Sequence, residues 1–128
     1  MPNEHFQPAL CAIEHRMAIE AKLKDKIEAV FLDSVVRKDA EAILDRYGIE
    51  SHEQEPIRVK LAILKLAGQG PTLERLAQLT DTAKADFRDI LSWAEYPRQS
   101  KNWLVIDAEK KQKMVQADLE EYQSWLNT

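Results

Sequence analysis

The most concentrated apolar stretch of the chain runs from Pro56 to Ala67 and is closed by Gly68. Ile57, Leu61 and Leu64 fall along one side of a helix, and Val59, Ile63 and Leu66 along another. Only Arg58, Lys60 and Lys65 interrupt an almost all-round apolar surface, so the spacing predicts a central helix enclosed by others. Pro56 suits the first helical turn, where its missing N–H would have no intrahelical partner anyway. Gly68 suits the stop. At least one of the three cations must snorkel past its neighbours or meet an acid.

Ahead of this helix, a helical pattern runs from Pro8 to about Asp33. Its first stripe, Leu10, Ile13 and Met17, gives way to a second, Ile19, Leu23, Ile27, Val30 and Phe31, which predicts a long helix that changes packing partner. Glu20 falls where the face changes and, if enclosed, needs a cation such as Arg16 or Lys24. The cluster Lys22, Lys24 and Lys26, with acids interspersed, is expected on a solvated face. Asp33 or Ser34 then caps a second helix with Val35, Val36, Ala40, Ile43 and Leu44 inward, ending at Tyr47-Gly48. A break at this cap is favoured over a single helix through residues 8–47. Ile49 to Glu55 is a polar connection.

Beyond the turn Gly68-Gln-Gly-Pro, Leu73, Leu76, Thr80, Ala83, Phe87, Ile90 and Ala94 keep helical register up to Tyr96. That continuity predicts one helix of about seven turns, ended by Pro97, with Asp81 as an alternative start of a new helix. Pro97 to Asn102 is polar. The short apolar run Trp103-Leu-Val-Ile106 has no strand to pair with and is expected to lie extended across the core. Asp107 caps a last helix in which Ala108, Val115, Leu119, Tyr122 and Leu126 share a face. Lys110, Lys111 and Lys113 precede Asp118, Glu120 and Glu121, an order opposed to the helix dipole, so packing must hold this helix.

These elements sum to an all-α protein, a compact single-domain bundle of about five helices spanning residues 1–128, with 1–7 as a flexible terminus. The central helix is flanked by long helices at about 8–33 and 72–96. A length of 128 residues suits one domain with its own core. The net charge of −4 argues against a nucleic-acid coat protein. Cys11 is the only cysteine, which excludes an intrachain disulfide and a cysteine-rich zinc site. The start of the chain lacks the pattern of a signal peptide, and no apolar run approaches the ~20 residues that cross a bilayer. A cytoplasmic protein is expected.

Chemistry enters at few places. Trp93, Tyr96, Arg98, Lys101 and Trp103 cluster around a helix end and a loop, the mixture favoured where proteins bind one another. The competing expectation is that both tryptophans close the core at the helix junction. If the cluster is a surface, replacing Arg98 and Lys101 with alanine should weaken partner capture without lowering the melting temperature. A helix-turn-helix can be traced over residues 73–93, with Ala77 in its first helix, Thr80-Asp-Thr82 as the turn, and Phe87 and Ile90 anchoring the recognition helix. Asp86, Asp89 and Glu95 against only Lys84 and Arg88 weaken that reading, because the groove is lined by phosphate. Cys11 and His15 share a helical face beside Glu14, but His5 and His52 have no ligand spacing, so no metal is expected. No nucleophile elbow or phosphate loop is present, and no cofactor is implied. The stretch from Arg58 through Tyr96 resembles short helical proteins of bacteria, a resemblance that brings no activity with it. The reading that follows is a non-enzymatic interaction or regulatory module, binding a protein partner or its own copy and no membrane. A helix-turn-helix DNA binder is the alternative, and a small helical enzyme or ligand carrier the third.

Overall fold

The computed structural model describes the backbone from residue 7 and the side chains from residue 17 to the end of the chain. The expected terminus 1–7 and the Cys11, Glu14 and His15 side chains fall outside the described residues, apart from the backbone at Gln7 and beyond. Seven helices and no strand are present among the described residues: α1 (Gln7–Val30), α2 (Ser34–Leu44), α3 (Pro56–Ala67), α4 (Leu73–Ala85), α5 (Phe87–Glu95), α6 (Pro97–Lys101) and α7 (Ala108–Leu126). The fold is all-α, with two more helices than the sequence pattern separates.

Helix α3 is the centre: Val59, Leu61, Ala62, Ile63, Leu64, Leu66 and Ala67 are buried. It packs against α1, α4 and α5, while α2 packs on α4 and α6 on α7. All three of its cations find partners. Arg58 reaches Glu95, Lys60 meets Asp45 at 3.1 Å, and Lys65 donates to the Ala94 carbonyl at 2.8 Å and to Glu121 at 3.0 Å. Gly68 ends the helix in ordinary right-handed conformation, with φ −61°, so no left-handed residue is used at this stop.

The chain does break at Asp33, whose carboxylate accepts from the Val35 and Val36 N–H groups and caps α2. Ala40 and Leu44 are buried, but Val35 faces solvent rather than the core. The connection to α3 is tied by two residues. Tyr47 is buried and its hydroxyl donates to the Gln54 carbonyl at 2.8 Å. Glu53 accepts from three successive backbone N–H groups, Gly48, Ile49 and Glu50, and from Lys84 at 2.7 Å.

The expected single helix over 72–96 is two. Helix α4 passes unbroken through Thr80, Asp81 and Thr82, and the break falls at Asp86, extended at φ −156° and ψ 101°. Asp86 closes α4 and caps α5 by accepting from Arg88 N–H at 3.0 Å. Because one residue alone leaves the helix, the apolar register Ala83, Phe87, Ile90, Ala94 continues across the bend, which is why periodicity does not reveal it.

The condition set for Glu20 is not met, and two further expectations are corrected. Glu20 is exposed and needs no partner. Lys22 and Lys26 are not on a solvated face: Lys26 is buried over the Trp125 ring at 4.6 Å, and Lys22 donates to Leu126 O and Asn127 Oδ1. This places Lys22 on the carbonyl end of α7, where the helix dipole favours a cation. The buried side of α7 is Asp118 with Tyr122 and Trp125 packed inward, while Val115 and Leu119 are exposed.

Candidate interaction surface

Proline at position 97 cannot continue α5, but it opens α6, a five-residue helix held against α7. The clamp is Asp118, buried on α7 at 1% exposure. Its Oδ1 accepts from Arg98 N–H at 3.1 Å and Arg98 Nη1 at 3.0 Å; its Oδ2 accepts from Gln99 N–H at 3.2 Å and Gln99 Nε2 at 3.0 Å. Burial is the largest influence on this carboxyl and opposes its charge. The donors of Gln99 and Arg98 outweigh it and hold Asp118 below the ordinary aspartate range. Four donors satisfy one buried carboxylate, as burying a charge requires.

Beyond α6 the chain leaves the body of the molecule. Trp103 is 75% exposed, Leu104 73% and Ile106 89%. The expected strap across the core is instead an apolar tip in solvent. On α7 beside it, Val115 is 41% and Leu119 53% exposed. Trp103, Met114 and Val115 line a shallow pocket of about 180 Å3 with Gln99 and Lys111. Val115 and Leu119 continue into a groove of about 390 Å3 shared with Tyr96, Tyr122 and Leu126. The two share Gln99 and Val115, so the hollow beside Trp103 adjoins the groove along α7. These open apolar side chains form the candidate contact surface.

The five candidate residues do not act as one cluster. Trp93 is 47% exposed, but on α5, away from both hollows. Tyr96, at 38%, stands at the edge of the groove and its hydroxyl accepts from Arg58 Nη2 at 2.8 Å. Arg98 is a structural residue, tied to Asp118 and, at 3.4 Å, to Glu121, so its loss is expected to lower the melting temperature, against the sequence expectation. Lys101 and Trp103 face solvent at the tip. Sequence reasoning missed Leu104, Ile106, Val115 and Leu119, having assigned all four to the core; only tertiary packing leaves them open.

Glu95, which lines the groove, belongs to a polar network centred on Arg58 in the adjoining hollow. Arg58 donates from Nε and Nη2 to the two oxygens of Glu95 at 2.9 and 2.6 Å, and from Nη1 to Glu55 at 3.0 Å. Glu95, bonded along both oxygens, raises the Arg58 pKa further and fixes its charge. Tyr122 lies alongside with a buried hydroxyl that has no partner. Burial, then the Glu95 charge, pushes that phenol above its usual range.

A second, polar recess of about 500 Å3 is lined by His52, Glu53, Lys84, Asp86 and Arg88. Its charges are spent within the fold: Glu53 on Lys84 and the loop N–H groups, Asp86 on Arg88 and the α5 cap. The Lys84 hydrogen bond, then those of the loop, bring Glu53 down to about 2. No cluster of three or more histidine, cysteine or acidic residues able to hold a metal occurs among the described residues. No described helix is long and apolar enough to cross a membrane. The helix-turn-helix traced over residues 73–93 loses its turn, because Thr80-Asp-Thr82 is inside α4. No family model, curated protein or solved structure matches the chain.

Proposed function

We propose that this protein is a non-enzymatic interaction module of the cytoplasm, docking a protein partner through the tip Trp103–Ile106 and the outer side of α7. The observation that carries this reading is the exposure of Trp103, Leu104 and Ile106 on one short segment, together with that of Val115, which shares a hollow with Trp103, and of Leu119. Leaving such side chains in water forgoes roughly 1.5–3 kcal/mol for each that a partner would bury. The Asp118 clamp supports it as well, since a buried carboxylate with four donors fixes the segment that carries the tip. Trp103 has the character of a central anchor, a large ring with little conformational entropy to lose.

The test places a photo-crosslinking amino acid at position 103, and for comparison at Lys38 on the exposed side of α2, in cells that make the protein. Protein adducts from position 103 and none from position 38 are the expected outcome. Absence of adducts at 103, or equal adducts at both, overturns the reading.

A further inference from the structure

We infer that the partner on this face is a second copy of the chain, with α7 packed antiparallel on α7 of the copy about a two-fold axis. The inference rests on the interaction reading above and names its partner. Its starting point is the distribution of charge around α7. At 100° per residue, Gln112, Val115, Gln116, Leu119, Gln123 and Leu126 occupy one contiguous sector of the helix, beside the sector buried by Asp118, Tyr122 and Trp125. That exposed sector contains no charge over the whole length of the helix, although seven of its nineteen residues are charged. Across a two-fold axis each residue near the axis meets its own copies, so a charge there would face the same charge. An apolar line flanked by glutamines avoids that repulsion. A face meant for an acidic or basic partner has no such need.

The charges outside the sector fit the same arrangement. Lys113 and Glu120 lie on the same flank, four residues before and three after the middle of the Val115–Leu119 segment. Same-flank positions face one another when two helices run antiparallel. With roughly 1.5 Å of rise per residue, Glu120 of the copy falls within about 2 Å of level with Lys113. Lys113 of each copy therefore meets Glu120 of the other, while Asp118 and Glu121 stay with their partners inside the chain.

The tip also finds its place. Ala108, where the tip joins α7, lies nine residues before the centre, roughly 14 Å along the axis, and Leu126 nine after it, the same distance. An antiparallel copy thus presents its Tyr96–Leu119–Leu126 groove, about 390 Å3, opposite the Trp103–Ile106 tip, and receives the tip in return. Trp103, Leu104, Ile106, Val115 and Leu119 supply several hundred Å2 of open apolar surface, the apolar share of the roughly 800 Å2 that each partner contributes to a standard interface.

Sedimentation equilibrium of the whole chain tests the proposal, with Leu119→Asp as the variant. Leu119 is already half-exposed, so its replacement leaves the fold standing, and an unchanged melting curve at low concentration checks this. The wild type should move from 14.8 kDa to twice that mass as concentration rises, while Leu119→Asp should weaken the dimer at least about tenfold. In a Cys11→Ser background, Gln112→Cys and Gln123→Cys chains mixed together should form the 112–123 disulfide between copies in preference to 112–112. A wild type that stays monomeric to about 0.5 mM overturns the inference, since a micromolar dimer would be nearly complete there. So does a dimer indifferent to Leu119→Asp, or one that joins 112 to 112. A monomer whose position 103 still crosslinks to another protein sinks this inference and leaves the interaction reading intact; a monomer without adducts sinks both.

Discussion

Asp118 Oδ1 lies 3.0 Å from Arg98 Nη1, and the carboxylate is almost completely buried while the guanidinium is not. The asymmetry orders the two substitutions. Removing Asp118 deprives Arg98 and Gln99 of their shared acceptor and frees α6 from α7. Removing Arg98 leaves Asp118 the Gln99 side chain and both backbone N–H groups. Asp118→Ala is expected to cost about 2 kcal/mol, because it leaves the Arg98 and Gln99 N–H groups without their acceptor. Arg98→Ala should lower the melting temperature by less, and Lys101→Ala not at all. Thermal unfolding followed by circular dichroism reads this order, and equal losses for Arg98→Ala and Asp118→Ala would count against the clamp.

Gly48 and Gly68 make opposite predictions. Gly48 has φ +95°, and a Cβ there would stand 2.8 Å from the Pro56 Cβ. Gly48→Ala must move the start of α3 and is expected to cost roughly 2 kcal/mol. At Gly68 the conformation is right-handed and the nearest atoms to a new Cβ are carbonyl oxygens at 3.5 Å. Alanine there should be neutral or stabilising by about 0.5 kcal/mol, through loss of unfolded-chain entropy. Chemical denaturation of both variants decides.

Tyr122 carries a hydroxyl without a partner in a buried position. Removing an unsatisfied polar atom while keeping the ring should relieve a desolvation cost, so Tyr122→Phe is expected to gain about 1 kcal/mol. A loss of stability would mean that the hydroxyl is satisfied in solution.

Glu53 ties acid stability to the loop before α3. Its carboxyl is drawn from an ordinary 4.5 down to about 2 by Lys84 and the loop N–H groups. A carboxyl lowered in the folded state gives stability that is complete above the unfolded value and is lost as pH falls through the folded one. The wild type should therefore lose stability progressively between pH 4.5 and 2. Glu53→Gln should be less stable at pH 7 and have a flatter profile over that window. Parallel profiles for the two proteins would remove Glu53 from the account.

Much of this protein is settled by neighbours in sequence. The central helix from Pro56 to Ala67 and the caps at Asp33 and Asp107 follow from residues a few positions apart. Capping and helical periodicity act over one or two turns, so one chain read alone reveals them. The need of Arg58 or Lys65 for an acid followed in the same way from their place on an apolar helix. Which acid each meets, Glu95 or Glu121, was decided 37 and 56 residues away, by how α5 and α7 pack on α3.

The same limit explains each correction. The bend at Asp86 costs one residue of helix and leaves the apolar register intact, so no periodic signal marks it. Lys26 is buried because Trp125 lies over it, and Asp118 is buried because α6 supplies its donors. Neither fact resides in the residues on either side. Val115 and Leu119 have the same spacing as core residues; they are open because α7 turns Asp118, Tyr122 and Trp125 inward instead. Local sequence fixes which faces are apolar, through the geometry of the helix. Only the packing of whole helices decides which apolar face is covered and which stays open, because burial is a property of the assembled surface.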